Sequence, residues 1–231
     1  MVVRKPRDLT HTIVAGLRDM IMEGRLHPGS KLPPERELAR QFGVNRASVR
    51  QALKALDVMG IVHQRVGDGT YLTHDASTTL RAPLDFLILV DGVSIQELFE
   101  ARRIVEPELA ARAAKRRSEK DLEALQAALD AMKTALENAD IEELAENDLR
   151  FHEVIWQASG NRVCQRMFSS LQRIMSQSLR VTTSLRSDSA PLSAHEAMYY
   201  AINEGNSIKA RQLMMDHLAE GENTIQKSAG D

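Results

Sequence analysis

The sequence predicts a mainly α-helical protein in two parts, a small domain of three helices and a β-hairpin followed by an all-α helical bundle. Aromatic residues make up only 4% of the 231 residues, and a chain rich in Leu, Ala and Met favours helices over large β-sheets. Apolar residues recur at helical spacing in most segments. One short segment alternates around two glycines, as hairpins do.

The first domain is predicted to span residues 1–75. Asn45 suits the cap that begins a helix, and Gly60 suits the position that follows a helix end. Gly67 and Gly69 interrupt an alternating run and are expected at the turn of a hairpin. The pattern therefore predicts helices over about 8–22, 34–41 and 46–59, and a hairpin over 61–72.

The second domain is predicted to span residues 92–228, after a linker over residues 76–91. Ser94 and Glu97 have the spacing of a capping box, Ser118 and Asp140 each precede a helical pattern with acidic residues in its first turn, and Asn161 is expected to cap a later helix. Pro107 is expected to bend the first of these helices. Six helices with short connections form a bundle; they are predicted over about 94–117, 118–138, 140–159, 161–187, 191–204 and 207–226.

The charge is divided unevenly between the two predicted domains. Residues 1–75 carry a net charge of +4 and residues 76–231 a net charge of −6. A basic first third on an acidic remainder indicates that one part of the protein meets a polyanion and the other does not.

The composition also bears on the compartment. A single cysteine, Cys164, excludes an internal disulfide, fits a reducing cytosol and is expected to be an ordinary buried thiol. We find no apolar run of about 18 residues and no secretory signal, so we expect a cytoplasmic protein without a membrane span.

Two arginines begin the third predicted helix. Val49, Leu53 and Leu56 form its buried stripe, which leaves Arg46 and Arg50 together on the exposed face. Arginines at such a position reach phosphates or guanine edges, and Ser48 has the hydrogen-bonding groups to assist. The alternative is that they are solvated charges on a surface helix. The tight turn before them and the hairpin after them favour DNA binding by a winged helix-turn-helix, in which Arg36 of the preceding helix contacts phosphate.

These residues resemble a known family. The run LHPGSKLPPERELARQFGVNRASVRQALKALDVMGIVHQRVGDGTYL, residues 26–72, is similar to the DNA-binding domain of GntR-type bacterial regulators. The resemblance implies a double-stranded DNA operator as partner. Ala47 departs from the polar residue that is frequent at its position, and Asn45 replaces the more usual Ser or Thr. By resemblance the main DNA contacts are Arg36, Arg46 and Arg50, assisted by Asn45, Ser48 and Gly67.

Three histidines and an aspartate stand out in the second domain. His152, His195 and His217 fall in separate predicted helices, and Asp148 lies four residues before His152, on the same helix face. One carboxylate and three imidazoles inside a bundle would bind Zn²⁺, Ni²⁺, Mn²⁺ or Fe²⁺. The alternative, that these are surface or hydrogen-bonded core histidines, stays open from the residues alone.

The surrounding residues resemble the effector domain of the FadR-type branch of the same family, called the FCD domain. The similar segments are NDLRFH (147–152), ASGN (158–161), HEAMYYAINEG (195–205) and MMDHL (214–218), with ELFEARRIVEP (97–107) similar to the opening helix. The resemblance implies that Asp148, His152, His195 and His217 bind a divalent metal beside a small organic acid. It also aligns Arg102 with a recurrent arginine, which either binds the effector carboxylate or forms a salt bridge with Glu106.

We therefore predict a homodimeric transcriptional regulator, expected to be a repressor, that reads a palindromic operator and responds to a carboxylate metabolite. It is not expected to be an enzyme, because no general base or nucleophile accompanies the candidate ligands. The alternatives are a metal-dependent enzyme that uses the Asp and His site for Lewis-acid chemistry, and a sensor of the metal ion itself.

Overall fold

The structure is a computed structural model and describes residues 6–74, 86, 90–184 and 190–229. The chain divides into two compact units at residues 82 and 83. The predicted linker, residues 76–91, lies outside the described residues except for Phe86, Val90 and Asp91.

The first unit contains three helices and a two-stranded antiparallel hairpin, as the sequence predicts. In the hairpin Val62 pairs with Leu72 and Arg65 with Gly69, and Lys31 forms an isolated bridge to Tyr71 on its outer edge. The elements are α1 (Pro6–Met22), α2 (Glu35–Phe42), α3 (Arg46–Val58), β1 (Val62–Arg65) and β2 (Gly69–Leu72).

The turn between α2 and α3 is fixed by residues on both sides of it. Gly43 adopts a left-handed conformation with φ of 64°, where a side chain would be strained. The side chain of Asn45 then caps α3 by accepting a hydrogen bond from the backbone N–H of Ser48 at 2.8 Å. The predicted stripe of Val49, Leu53 and Leu56 is buried in the core of this unit. The helix-turn-helix geometry therefore follows from local sequence.

The second unit is all helical within the described residues. The predicted capping box is present at Ser94 with Glu97, and the predicted cap Ser118 forms a second box with Asp121. The first helix is continuous through Pro107. The helices are α4 (Ile95–Arg116), α5 (Glu119–Glu137), α6 (Ile141–Ala158), α7 (Arg162–Ser170), α8 (Gln172–Ser184), α9 (Ala190–Asn203) and α10 (Ser207–Ala229).

The prediction of one helix over residues 161–187 is wrong. The structure has two helices, α7 and α8, separated at Leu171. The backbone N–H of Leu171 bonds to the carbonyl of Phe168, three residues back, and the hydroxyl of Ser170 bonds to the carbonyl of Arg166. This tighter turn interrupts the α-helical bonding, and the apolar pattern runs through it without a Gly or Pro to mark it.

One apolar core joins the helices of the second unit. Trp156, Phe151 and Ile155 of α6 are fully buried in it. Cys164 is half-buried and packs against this core from α7, so it is less enclosed than the sequence predicts. Within the described residues, none of the helices combines the length and the apolar character that crossing a membrane requires.

Candidate DNA-binding surface and metal centre

The N-terminal half of α3 presents the predicted reading residues. Arg46, Ala47 and Arg50 are exposed and Ser48 is half-buried. Arg36 is exposed near the start of α2. The face opposite the buried stripe of α3 therefore carries two guanidinium groups free of the core, as the helical spacing predicts.

Glu35, which the sequence analysis did not single out, contacts both arginines. Its two carboxylate oxygens accept hydrogen bonds from Nε and Nη2 of Arg50 at 3.0 and 2.9 Å. Nη2 of Arg46 lies 3.6 Å from Oε2 of the same carboxylate. The hydrogen bond from Arg50 lowers the pKa of Glu35 below its ordinary value, so the pair is ionic at neutral pH.

The hairpin turn is held by a polar cluster at its tip. The carboxylate of Asp68 accepts bonds from Nζ of Lys31 and from the hydroxyl of Tyr71, both at 2.7 Å. The guanidinium of Arg65 stacks on the Tyr71 ring, 4.4 Å from its centroid. Gly67 lies in the exposed turn with φ of 76°, which leaves its backbone open to a close approach.

Four side chains from three helices of the second unit meet in its interior. Asp148 and His152 project from α6, His195 from α9 and His217 from α10. Each offers a ligand atom, and these atoms all lie within 4.8 Å of one another. All four residues are buried, with Asp148 6% and His217 8% exposed. The structure thus brings together the four residues that the sequence singles out.

The spacing of these atoms suits a small cation. Nε2 of His152 lies 3.5 Å from Oδ1 of Asp148 and 3.3 Å from Nε2 of His217. Nε2 of His195 lies 3.5 Å from Oδ2 of Asp148. Two ligands at about 2.1 Å from a tetrahedral ion stand roughly 3.4 Å apart, so the three separations match those of metal ligands.

The bonding of Asp148 also fits a metal. Its Oδ1 is buried and accepts no hydrogen bond from the described part of the chain. A buried carboxylate oxygen without a donor is costly unless a cation binds it. The donor set of one carboxylate and three imidazoles is the chemistry that first-row divalent metals take.

Glu106 of α4 lies next to this centre, and the sequence predicts for it only a salt bridge with Arg102. It is fully buried and accepts three hydrogen bonds: from Nε of Arg102 at 2.6 Å, from Nδ1 of His152 at 2.6 Å and from Nε1 of Trp156 at 3.3 Å. Burial would raise the pKa of Glu106, but the charge of Arg102 and the contact with His152 outweigh it and lower the pKa to about 2.

Arg102 forms the salt bridge that was one of its two predicted roles. Its Nε side is bonded to Glu106, yet its Nη2 lies 3.4 Å from Nε2 of His152, at the edge of the four-residue centre. The side chain is fully buried. A cation therefore borders the centre, and only part of its hydrogen-bonding capacity is used by the salt bridge.

A winged helix-turn-helix joined to a helical bundle is the architecture of one class of bacterial transcriptional regulators. Residues 9–72 match the family of bacterial regulatory proteins called gntR, and residues 97–220 match the FCD domain. The chain belongs to the GntR family and carries an FCD domain.

Relatives and solved structures agree with this assignment. The HTH-type transcriptional regulator LutR of Bacillus subtilis is 32% identical, over 89% of this chain and 96% of that protein. The galactonate operon transcriptional repressor of Escherichia coli is 29% identical, over 91% of this chain and 93% of the repressor. The structure of a Streptococcus agalactiae GntR protein has a TM-score of 0.67 at 26% identity and covers 93% of this chain and 99% of its own. These relatives are regulators and not enzymes, as the sequence predicts.

Proposed function

We propose that this protein is a transcriptional repressor whose operator affinity changes when a small organic acid binds beside a divalent metal. The metal would be held by Asp148, His152, His195 and His217. The observation that carries the proposal is that these four buried side chains, from three helices, place their ligand atoms within 4.8 Å of one another. Polar side chains buried in this way are costly unless a cation or hydrogen bonds compensate them.

The donor atoms narrow the metal to Zn²⁺, Ni²⁺, Mn²⁺ or Fe²⁺, since imidazole and carboxylate together suit these ions. When bound, such an ion supplies a Lewis-acidic position for a carboxylate oxygen. The four residues hold it and, being buried, exclude bulk water from the bound acid.

We propose that Arg102 binds the effector in addition to forming its salt bridge with Glu106. Its guanidinium faces the centre with Nη2 while Glu106 holds Nε. A guanidinium pairs with a carboxylate through two parallel bonds, so a cation at this edge selects an acid over a neutral ligand. The galactonate operon repressor is named for the operon of a hydroxy acid, which makes galactonate a reasonable first probe.

The first unit is proposed to read the operator. Arg46 and Arg50 would contact base edges or phosphates, and Arg36 would contact phosphate. Asn45, Ser48 and the backbone of Gly67 would assist them. The charge of the N-terminal third, net +4 over residues 1–75, supports this division of labour. We infer a homodimer, because a two-fold symmetric protein places one such unit on each half of a palindrome.

The test is operator binding by the full-length protein under three conditions. An operator would be selected from random DNA, and its affinity measured by fluorescence anisotropy with chelator, with Zn²⁺ alone, and with Zn²⁺ plus galactonate or a panel of related acids. The proposal expects the acid to weaken binding only when Zn²⁺ is present. A change caused by Zn²⁺ alone would instead indicate a metal sensor.

The matched variant for this test is Asp148→Asn, which keeps the shape of the side chain and removes its charge. In the presence of chelator the variant should bind the operator with the affinity of the wild type. In the presence of Zn²⁺ it should lose the response to acid. Operator affinity that no acid alters in the wild-type protein, with metal bound as measured by native mass spectrometry, would overturn the proposal.

A further inference from the structure

We propose that Glu106 is a positioning residue that fixes the tautomer of His152, so that Nε2 of His152 is free to bind metal. The inference rests on the proposed metal centre and adds a residue to it that touches no metal. Glu106 lies on α4 and His152 on α6, 46 residues apart in sequence, and their side chains meet at 2.6 Å inside the core.

The hydrogen-bonding capacity of the neighbours determines the roles of the two ring nitrogens. An ionised carboxylate only accepts hydrogen bonds, so Nδ1 of His152 must carry the hydrogen that lies between it and Glu106. In a neutral imidazole the other nitrogen, Nε2, then has the lone pair. Metal ligation needs that lone pair.

A second neighbour of the ring, Arg102, favours the same tautomer. A guanidinium only donates, and Nη2 of Arg102 lies 3.4 Å from Nε2 of His152. A hydrogen on Nε2 would face that donor. Arg102 and Glu106 therefore bracket the imidazole from opposite sides, and both favour the form with hydrogen on Nδ1.

The carboxylate also links the guanidinium of Arg102 to the imidazole of His152. One oxygen of Glu106 is bonded to Arg102 and the other to His152 and Trp156. The orientation of the guanidinium and that of the imidazole are thus set by one side chain. Loss of a carboxylate that hydrogen-bonds a metal-binding histidine lowers metal affinity by about 10–100-fold in other proteins.

The substitution Glu106→Gln tests the proposal because it exchanges one acceptor for a donor without changing the shape. The amide oxygen is expected to stay with Arg102, whose bond is charged and, at 2.6 Å, shorter than the 3.3 Å bond from Trp156. The amide NH₂ then turns toward Nδ1 of His152. The imidazole should then shift its hydrogen to Nε2. Glu108→Gln is the control, since Glu108 lies on the same helix and pairs with Arg211 at the surface.

Two quantities are measured on the full-length protein, the Zn²⁺ affinity and the tautomer of His152. Zn²⁺ affinity, from competition with a chromophoric chelator, should fall about 10–100-fold in Glu106→Gln and stay unchanged in the control. Long-range ¹H–¹⁵N NMR of the metal-free protein, with His152 assigned from a His152→Gln spectrum, should show hydrogen on Nδ1 in the wild type and on Nε2 in the variant. A simple loss of charge would leave the tautomer as it is.

A second variant guards against a folding defect. In the double variant Arg102→Met with Glu106→Gln, the amide oxygen has no guanidinium from which to accept a hydrogen bond, so it should turn back to Nδ1 of His152. The original tautomer and most of the Zn²⁺ affinity should then be restored. Zn²⁺ affinity within about threefold of wild type in Glu106→Gln, or hydrogen still on Nδ1 there, would overturn the inference. A wild-type protein that binds no metal would refute the proposed function, while the NMR measurement would still decide the role of Glu106.

Discussion

Glu35 and Arg50 form a bidentate ion pair in which both carboxylate oxygens of α2 meet the guanidinium of α3, at 3.0 and 2.9 Å. Arg46 lies 3.6 Å from the same carboxylate. An acidic residue therefore holds the arginines that are proposed to read the operator, and it does so on the exposed side of the helix-turn-helix. The pair orients Arg50, and the carboxylate offsets part of the charge of both arginines.

The first prediction concerns the arginines themselves. Arg46→Ala combined with Arg50→Ala should abolish specific operator binding, since each bidentate contact with a base contributes about 1–3 kcal/mol of discrimination. Anisotropy titrations with the selected operator measure the loss. Arg18→Ala is the control, because Arg18 is an exposed arginine of the same unit that pairs with Asp19 on α1. Specific binding that persists in the double variant would show that α3 is not the recognition helix.

The second prediction concerns the carboxylate. Glu35→Gln should strengthen binding to non-specific DNA several-fold, because a negative charge near the phosphates is removed. It should lower the ratio of specific to non-specific affinity, because Arg50 loses its orientation. Glu37→Gln removes the same charge from the same helix, where Glu37 contacts Gln41 rather than an arginine. If both variants changed specificity equally, the effect would be one of net charge and not of orientation.

The pair also has a defined pH dependence. The pKa of Glu35 is lowered from its ordinary value, first by the hydrogen bond from Arg50, so any stability the pair contributes is present above the unfolded-state pKa and is lost as pH falls through the folded-state value. The guanidinium of Arg50 is exposed, and solvent screening keeps the contribution of the pair to stability small. The difference in specificity between wild type and Glu35→Gln should therefore be constant from pH 6 to pH 8 in the same titrations.

The third prediction separates two roles of Asn45. Its side chain caps α3 through the N–H of Ser48, and Asn45→Ala should destabilise the protein by about 1 kcal/mol through loss of the cap. Asn45→Ser keeps a capping oxygen and should restore stability, as measured by urea unfolding. Operator affinity that falls in Asn45→Ser at unchanged stability would indicate a DNA contact. If operator affinity changes only where the free energy of unfolding changes, in both variants, then Asn45 acts only as a helix cap.

The fourth prediction concerns metal and stability. A ligand that binds only the folded state adds about 2.7 kcal/mol at a hundred times its dissociation constant, so chelator should lower the unfolding temperature and Zn²⁺ should restore it. Asp148→Asn should remove this response. His11→Gln, a histidine exposed on α1, should keep it. If neither Zn²⁺ nor chelator changes the unfolding temperature of the wild type, no metal is bound in the core.

Several features of the site follow from short stretches of sequence. The caps at Asn45, Ser94 and Ser118 set where three helices begin, and each bond joins residues three apart. The exposed position of Arg46 and Arg50 follows from helical periodicity. The spacing of Asp148 and His152 places them on one face of α6 for the same reason.

Other features have no signature in a short stretch of sequence. The end of α7 at Leu171 has no Gly or Pro to mark it, so the sequence indicated one helix where there are two. That His195 and His217 reach Asp148 was expected from the family resemblance, and the periodicity of three separate helices does not imply it. Only the packing of α6, α9 and α10 places their ring nitrogens beside the carboxylate.

The sequence by itself predicted a helical protein with a candidate DNA-reading helix and four candidate metal ligands. The tertiary structure decided which acidic residues contact the arginine and histidine side chains of these sites. Glu35 meets Arg50 across 15 residues and Glu106 meets His152 across 46, and neither contact has a local signature. The physical reason is that hydrogen bonds within one helical turn follow from residue spacing, whereas bonds between helices exist only once apolar burial has fixed how those helices pack.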